Sequence, residues 1–442
     1  MHASQALDLA RAQFGINIGF HILFPSITIG LAWLLVYFRV RYARSGDPAW
    51  LATYRLWTRI FALTFAMGVV TGIVMSFQFG TNWPGYMNKV GNVAGPLLGY
   101  EVLTAFFLEA TFLGVMLFGM NRVPGWVHVL SAALVALGTT LSAFWILALD
   151  SWMQTPAGVA VRPDGALIAG DWWQVIFNPS LPYRLVHMLL ASGLTAAFLV
   201  AGLSAWRLLK AGGDAAARGT LRTGVLIAAL LAPLQIAAGD MHGLNTLEHQ
   251  PEKIAAIEAI WHGGRGIPLE LFAIPNRATR SNDYAIGIPK GASLVLRHDP
   301  DGELPGLDQF GDDLPPVAPV FFAFRIMVGL GVAMLALAWF GAWRTHRGRT
   351  APRWLLWTFA GATFIGWPAV LAGWIVTEMG RQPWLVTGIL KTRDALGDVP
   401  DAAIGASLTG YILTYGLLLL AYIVVLTHLA GEGGGETGGE RA

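Results

Sequence analysis

The chain has 442 residues, of which 55% are hydrophobic and only 13% are charged, whereas soluble domains carry about 25% charged residues. The formal net charge of +2 argues against a nucleic-acid partner. The absence of cysteine excludes disulfides, iron–sulfur clusters, thiolate zinc sites and covalently attached c-type haem in this chain.

Nine apolar stretches, numbered spans one to nine in chain order, could each form a membrane-spanning helix, which needs about 20 mostly apolar residues. Their approximate bounds are 15–38, 59–77, 96–119, 125–148, 183–208, 222–238, 318–343, 354–377 and 407–428. Several contain Gly or Pro, which membrane helices tolerate. The sequence therefore predicts an all-α, polytopic helical bundle in a membrane.

The short connections predict the orientation of this bundle, because cytoplasmic connections carry an excess of Lys and Arg. The connections after spans one, five and seven are rich in these residues, whereas the connection after span two holds only Lys89. Alternate connections should therefore face the cytoplasm. This pattern predicts an N-terminus outside and a cytoplasmic C-terminus.

One connection is much longer than the others. Residues 239–317 join spans six and seven on the predicted outer side, and they mix charged residues with turn signals. Loops of this length are often functional. Residues 431–442 are rich in Gly and Glu and are predicted to form a flexible tail. The rest of the chain, residues 1–430, is predicted to be a single membrane domain.

Three histidines lie well within the predicted spans, where ionisable and ligating side chains are costly. They are His21 in span one, His128 in span four and His187 in span five. Each is either a hydrogen-bond partner between helices or a ligand of a metal, and the sequence pattern alone does not decide between these roles.

Met327 in span seven follows Arg325 by two residues. A methionine in an apolar helix usually serves packing, but an arginine in this position needs an anion, and a haem propionate is one candidate. Spans five and seven both enter from the predicted outer face, so His187 and Met327 should lie at similar depth. A His and a Met at one level can supply both axial ligands of a low-spin haem.

Carboxylates are also predicted inside the membrane, with Glu101 and Glu109 in span three and Glu378 at the end of span eight. Buried acids are costly unless they are neutral or paired. We interpret them as haem ligands or proton carriers, and neutral hydrogen-bond partners are the alternative. On the long loop, Lys253 and Glu258 lie in a short amphipathic stretch. They are either solvated or contact a quinol head group.

Six short motifs carry a resemblance to a known family. In chain order they are HILFP at 21–25, FQFGTNW at 77–83, LSAFWIL at 141–147, SWMQ at 151–154, AFRIM at 323–327 and GRQPW at 380–384. With these motifs the chain resembles subunit I of cytochrome bd quinol oxidases over residues 6–428. The nine spans, the outward N-terminus and the long loop after span six also fit that family.

The resemblance implies a set of haem ligands. His187 and Met327 look like the axial ligands of a low-spin haem b, with Arg325 beside them. His21 looks like the ligand of a high-spin haem, and Glu378 looks like a ligand of the second high-spin haem. One of this pair is a haem b and the other is haem d or a further haem b. Which of the two haems each residue holds is left open.

The resemblance also implies roles in proton and quinol chemistry. Glu101 would stand by the high-spin pair as a ligand or proton carrier, and Glu109 and Ser142 would line a proton path from the cytoplasm. Lys253 and Glu258 would lie at the quinol site, in the loop that the family calls the Q-loop. The residues assigned to catalysis are Glu101, Glu109, Ser142, Arg325 and Arg381.

The implied function is that of a terminal oxidase in the bacterial inner membrane. Ubiquinol or menaquinol would be oxidised at the outer face, and O2 would be reduced to water with cytoplasmic protons, which generates a proton motive force without pumping. The implied partners are subunit II, a small single-helix accessory subunit and the lipid bilayer. The loop lacks the long insertion of some members, as in the branch that includes cyanide-insensitive oxidases.

Two other functions were weighed. A haem–copper oxidase subunit needs more histidines in its spans than the three that lie well within the spans of this sequence. A proton-coupled secondary transporter without redox cofactors would suit paired membrane carboxylates, but transporters often contain inverted repeats, and none is evident. The transporter remains the alternative to the oxidase, and a visible absorption spectrum would distinguish them.

Overall fold

The structure is a computed structural model that describes residues 2–210 and 214–432. Within these residues, nine helical segments are long and apolar enough to cross a membrane, which confirms the predicted number of spans. Spans one to nine are Gln5–Ser45, Pro48–Thr81, Pro84–Phe118, Gly125–Gln154, Leu181–Lys210, Ala215–His249, Val317–Arg344, Arg353–Met379 and Asp401–Gly431. The all-α, multi-pass architecture is thereby confirmed. From residue 433 onward, the predicted flexible tail lies outside the described residues.

Spans one, three and eight are each made of more than one helix. Their component helices are His2–Ile22 and Pro25–Ser45, then Pro84–Glu101, Val102–Phe106 and Phe107–Phe118, and then Arg353–Gly361 and Gly366–Met379. Pro25 has no amide hydrogen and begins the second helix of span one, which explains the break before it. Val102–Phe106 is a π-helical turn, a feature that is frequent at functional sites. It separates Glu101 from Glu109.

Span six corrects one predicted boundary. The apolar run ends near residue 238, but the helix continues to His249, so the Q-loop occupies residues 250–316 rather than 239–317. No proline interrupts this last part of the helix, and several of its polar side chains form hydrogen bonds within the protein. Asn245, for example, donates a hydrogen bond to the carbonyl of Pro179 at 3.2 Å. Hydropathy therefore placed the helix end too early.

The elements outside the spans are short. The helices are Trp172–Ile176, Pro251–Ile257, Gly291–Arg297 and the 3₁₀ turns Leu307–Gln309, His346–Gly348 and Thr392–Ala395. The strands form four antiparallel pairs: Val159–Val161 with Leu167–Ala169, Gly264–Arg265 with Glu303–Leu304, Leu269–Asn276 with Ser281–Ile288, and Trp384–Val386 with Leu390–Lys391. Most of the Q-loop is thus folded, and Pro251–Ile257 is the helix within it that follows span six.

The spans pack closely where small residues meet. The second helix of span one packs against spans two, four and five, and a Cβ atom at Gly30 would stand 2.5 Å from the carbonyl oxygen of Ser192 in span five. Close approach of this kind is typical of membrane helices. Spans five and seven each pack against spans six and eight. These four spans form the group that carries His187 and Met327.

Candidate functional site

His21 is oriented by a hydrogen bond to span two. Its Nδ1 lies 2.9 Å from Oγ1 of Thr71, and that hydroxyl donates its own hydrogen to the carbonyl of Met67 at 2.8 Å. With the hydroxyl hydrogen directed at Met67, Thr71 accepts from Nδ1, and this arrangement assigns the ring proton to Nδ1 and leaves a lone pair on Nε2. A histidine held in this way by its other nitrogen suits iron ligation.

His187 faces span six. The side-chain nitrogen of Gln235 lies 3.1 Å from Nε2 and 3.3 Å from Nδ1 of His187, and the ring of His242 is centred 5.6 Å away. The oxygen of Gln235 is buried without a hydrogen-bond partner among the described residues. His187 thus stands beside polar groups that are not fully satisfied by the protein, as expected next to a site for a polar or ligated group.

Glycines make room for the candidate ligands. A Cβ atom at Gly72 would stand 3.2 Å from Cε1 of His21, and one at Gly239 would stand 3.3 Å from Cε1 of His187. In the same way, a Cβ atom at Gly373 in span eight would stand 3.0 Å from Sδ of Met327. The sequence prediction of ligands in spans one, five and seven therefore coincides with positions where a neighbouring helix comes unusually close.

Arg325 contacts three residues of the Q-loop. Its Nη2 donates to Oε2 of Glu258 at 2.7 Å, and its Nε donates to the carbonyl of Glu270 at 2.9 Å. Nη1 donates to the carbonyl of Ile257. The guanidinium also lies 3.6 Å from the ring centre of Phe321. Arg325 therefore holds the Q-loop to span seven, and Glu258 supplies its anion.

Lys253 and Glu258 are not solvated, so that alternative is wrong. Only 2% of Lys253 and 5% of Glu258 is exposed. Nζ of Lys253 donates to Oε1 of Gln154 at 2.5 Å and to Oε1 of Gln250 at 2.8 Å. Lys253 lies in the helix Pro251–Ile257 and contacts the end of span four, and Glu258 directly follows that helix and contacts span seven. Whether these two residues also meet quinol stays a prediction.

Burial changes the acidity of both Q-loop residues. Burial, with the nearby charges of Arg184 and Arg381, lowers the pKa of Lys253 well below its usual range. Burial raises the pKa of Glu258, and the opposing effect of Arg325 only partly offsets this. Burial therefore makes each side chain easier to neutralise than it would be in water.

Glu378 lies in a cluster of buried polar residues at the Q-loop end of spans four and eight. Its Oε1 accepts a hydrogen bond from Nε2 of Gln154 at 3.0 Å, and its Oε2 accepts one from Arg381. Asp150 lies between two arginines, 4.0 Å from Nη1 of Arg381 and 3.7 Å from Nη1 of Arg184. Because a carboxylate offers about four lone-pair sites, Glu378 retains acceptor capacity beyond these two donors.

Glu101 and Glu109 both face span four. Oγ of Ser142 donates to Oε1 of Glu101 at 2.8 Å, so Ser142 is the direct partner of Glu101 rather than of Glu109. Glu109 is buried opposite Gly138, and its Oε1 has no hydrogen-bond partner among the described residues. Ser142 and Gly138 are one helical turn apart. The two carboxylates therefore follow one seam between spans three and four.

His128 lies apart from these groups. It is fully buried, and its Nδ1 accepts a hydrogen bond from Nε of Arg39 at 3.3 Å, beside the ring of Tyr54. These contacts match the role of a hydrogen-bond partner between helices, one of the two roles open to this histidine from the sequence.

Several residues of the site were not singled out from the sequence. They are Asp150, Gln154, Arg184, Gln235 and His242. Asp150 and Arg184 could have been found, because each is an ionisable residue at the end of an apolar run. Gln154 stands in the SWMQ motif, one of the six motifs that carry the family resemblance. Gln235 and His242 lie at the end of span six, where the predicted helix stopped too early to give His242 a position.

The donor set fits haem iron. Imidazole, thioether and carboxylate groups are the side chains available, and His with Met is a known axial pair for a low-spin haem. The orientation of His21 by Thr71, the unsatisfied oxygen of Gln235 and the spare acceptor capacity of Glu378 are each compatible with bound haem. The residues present therefore fit the groups that the sequence resemblance implied.

Comparisons with known proteins identify the family of this chain. The family model for cytochrome bd terminal oxidase subunit I matches residues 9–434. The chain is 34% identical to "Cytochrome bd ubiquinol oxidase subunit 1" of Bacillus subtilis, over 96% of this chain and 92% of that protein. It is 30% identical to "Cytochrome bd-II ubiquinol oxidase subunit 1" of Escherichia coli, over 96% of each.

A solved structure has the same fold. The bd oxidase of Geobacillus thermodenitrificans superimposes with a TM-score of 0.90 and 29% sequence identity, over 97% of this chain and 99% of that chain. The match of the family model to nearly the whole chain and the match to this structure point to the same conclusion. The chain belongs to the cytochrome bd terminal oxidase subunit I family.

Proposed function

We propose that this chain is the haem-carrying subunit of a terminal quinol oxidase, which oxidises quinol and reduces O2 to water. The observation that supports this most directly is the setting of Glu378. Its carboxylate is partly buried between Gln154 and Arg381 and retains acceptor capacity for a metal. In a chain of this family, such a carboxylate suits an iron ligand better than a group kept for stability.

The residues that would hold haem follow from the donor set. His187 and Met327 would hold a low-spin haem b, and His21 and Glu378 would hold the two high-spin haems, one of them haem b and the other haem d or a further haem b. Bound haem supplies the one-electron chemistry and the site of oxygen binding. The protein's own contribution is to orient the ligands, through Thr71 for His21 and through Gln154 and Arg381 for Glu378.

Quinol would bind beside the helix Pro251–Ile257. A quinol that is oxidised must give up protons, and Glu258 is a carboxylate within the Q-loop that could accept one. Arg325 holds this carboxylate in place at 2.7 Å. Lys253, which lies in this helix, would connect the quinol site to Glu378, because it donates to Gln154 and Gln154 donates to Glu378. The quinol would be ubiquinol or menaquinol.

Protons for water formation would come along the seam of spans three and four. Glu109 has a free acceptor atom and Glu101 is hydrogen-bonded to Ser142, so the two carboxylates can accept and release protons in sequence. With the N-terminus outside and the C-terminus in the cytoplasm, this seam would lead from the cytoplasmic side towards the Q-loop end. Charge would then separate across the inner membrane without a pump.

The proposed assembly includes subunit II and a small accessory subunit in the lipid bilayer. The spans present many large apolar side chains on the outside of the bundle, including Phe77, Phe118 and Leu413, as expected for contact with lipid or with other membrane helices.

A visible absorption spectrum with an oxygen-uptake assay tests the proposal. The complex purified from membranes should show reduced haem bands, and quinol should drive oxygen consumption. Loss of oxygen consumption on removal of quinol is the matched control. A colourless preparation that retains this chain would reject the oxidase in favour of a transporter without redox cofactors.

A further inference from the structure

A chain of hydrogen bonds, buried at its Lys253 end and partly buried at its Glu378 end, joins the Q-loop to Glu378. It runs from Nζ of Lys253 to Oε1 of Gln154 at 2.5 Å, and from Nε2 of the same Gln154 to Oε1 of Glu378 at 3.0 Å. Gln250 strengthens the first link, because its Nε2 donates to Oε1 of Gln154 at 3.2 Å. One amide therefore contacts both the Q-loop helix and the proposed iron ligand.

We propose that Gln154 is a positioning residue that couples the quinol site to Glu378. This inference rests on the proposed function of the chain as a quinol oxidase. When the helix Pro251–Ile257 shifts as quinone binds or leaves, Gln154 transmits the shift to the carboxylate. The environment of the high-spin haem held by Glu378 changes as a result.

The geometry of Gln154 suits this role. It is the last residue of span four, and only 1% of it is exposed. A side-chain amide is planar, with its acceptor and its donors held at a fixed angle. A movement of the group that donates to Oε1 therefore rotates the donor at Nε2. An aliphatic residue at this position could fill the space, but it would form neither hydrogen bond and so could not couple the lysine to the carboxylate.

Neighbouring residues restrain the side chains at both ends of this hydrogen-bond chain. Arg381 holds the other carboxylate oxygen, and Asp150, one turn before Gln154, lies 4.0 Å from Nη1 of Arg381. At the Q-loop end, the stem of Lys253 lies against Gly380, where a Cβ atom would stand 2.9 Å from Cγ of the lysine. A displacement of Lys253 should therefore move Gln154 and Glu378 rather than be taken up by local rearrangement.

The test uses the oxidised, detergent-solubilised complex and ubiquinone-1 as the probe. Oxidised quinone cannot reduce the haems, so any spectral change reports environment alone. In the wild-type complex, ubiquinone-1 should shift the absorption band of the high-spin haem in a saturable way. In Gln154→Leu this shift should fall at least fivefold, and the dissociation constant of ubiquinone-1 should change less than the shift.

Two further variants make the test specific. Gln154→Glu keeps an acceptor for Lys253 but removes the donor to Glu378, so it should bind ubiquinone-1 and lose the shift. Gln13→Leu is the matched control, because Gln13 is another buried glutamine between spans, bonded to Asn82 and Ser407. The control should keep the full shift.

The outcomes separate this inference from the proposed function. A wild-type complex that contains haem and binds ubiquinone-1 without any shift overturns the coupling and leaves the oxidase proposal standing. An unchanged shift in Gln154→Leu also overturns it, and so does loss of haem from both Gln154 variants, because the residue would then support folding. A wild-type complex without haem rejects the proposed function itself.

Discussion

Glu109 lies directly against a glycine of the neighbouring span, since a Cβ atom at Gly138 would stand 2.6 Å from Cγ of Glu109. Real Cβ atoms do not approach this closely, so the glycine is what allows the carboxylate to occupy the seam between spans three and four. The position of a proposed proton carrier thus depends on a residue without a side chain.

Gly138→Ala should displace Glu109 and slow oxygen consumption. Overpacking of this kind costs about 1–3 kcal/mol, so the bundle should still assemble with lower thermal stability. Gly114→Ala in span three is the control, because a Cβ atom there would meet open space. Equal turnover in the Gly138 and Gly114 variants would contradict a role for the position of Glu109.

Glu109→Gln keeps the shape of the side chain but removes its titratable proton. Haem reduction by quinol should begin normally, and turnover with O2 should slow at the step of proton uptake. The defect should be larger at high pH, where protons are scarce, and Glu109→Asp should recover part of the rate. Stopped-flow reaction with O2 across pH checks this. Full activity of the Gln variant at every pH would make Glu109 a structural partner only.

The sequence predicted the bundle well because hydrophobic length is a strong signal for a membrane span. It predicted the helix boundaries poorly, as at His249, the last residue of span six. Polar residues at the end of a helix have the composition of a loop, and the sequence does not show the distant residues with which they form hydrogen bonds. Candidate residues such as Glu378 could be chosen because an acidic side chain in a membrane span is energetically costly and therefore indicates a function. Their partners could not, because the bond from Gln154 to Glu378 joins positions 224 residues apart.

Met327→Leu should keep the fold and alter the low-spin haem. The volume of the side chain is nearly conserved, but the thioether that would bind iron is lost, so the iron should shift towards high spin. The reduced alpha band should weaken, and a redox titration should show a changed midpoint potential. Met334→Leu is the matched control, because Met334 is a buried methionine of the same span that packs in the core. If both variants keep the wild-type band and potential, Met327 is not a ligand.

Glu258→Ala should loosen the Q-loop as well as impair quinol oxidation. Removing one partner of a buried ion pair leaves the other charge without compensation and costs about 3 kcal/mol; here that charge is Arg325, which is mostly buried. Glu258→Gln keeps a hydrogen-bond acceptor for Arg325 and should restore much of the protection. Limited proteolysis between residues 259 and 316 measures the loosening. A loop that resists protease equally in the wild type and both variants would show that the pair does not hold it.

Lys253 should make docking of the Q-loop helix depend on pH. Its pKa is well below the usual range when the helix is docked and returns to about 10.4 when the lysine meets water. Between these two values the undocked state binds more protons than the docked state. Docking therefore strengthens as pH rises through this window, by at most about 1.4 kcal/mol per pH unit, and it weakens as pH falls.

Hydrogen exchange of residues 251–257, compared at pH 7 and pH 9, measures this dependence. Lys253→Met keeps the apolar stem but carries no charge, so the pH dependence should disappear once intrinsic exchange rates are divided out against the same peptide. Lys290→Met is the matched control, since Lys290 is an exposed lysine of the same loop, paired with Asp301 at 2.6 Å. That variant should keep the wild-type slope. An identical slope in the Lys253 variant would mean that the docked helix does not depend on the charge state of this lysine.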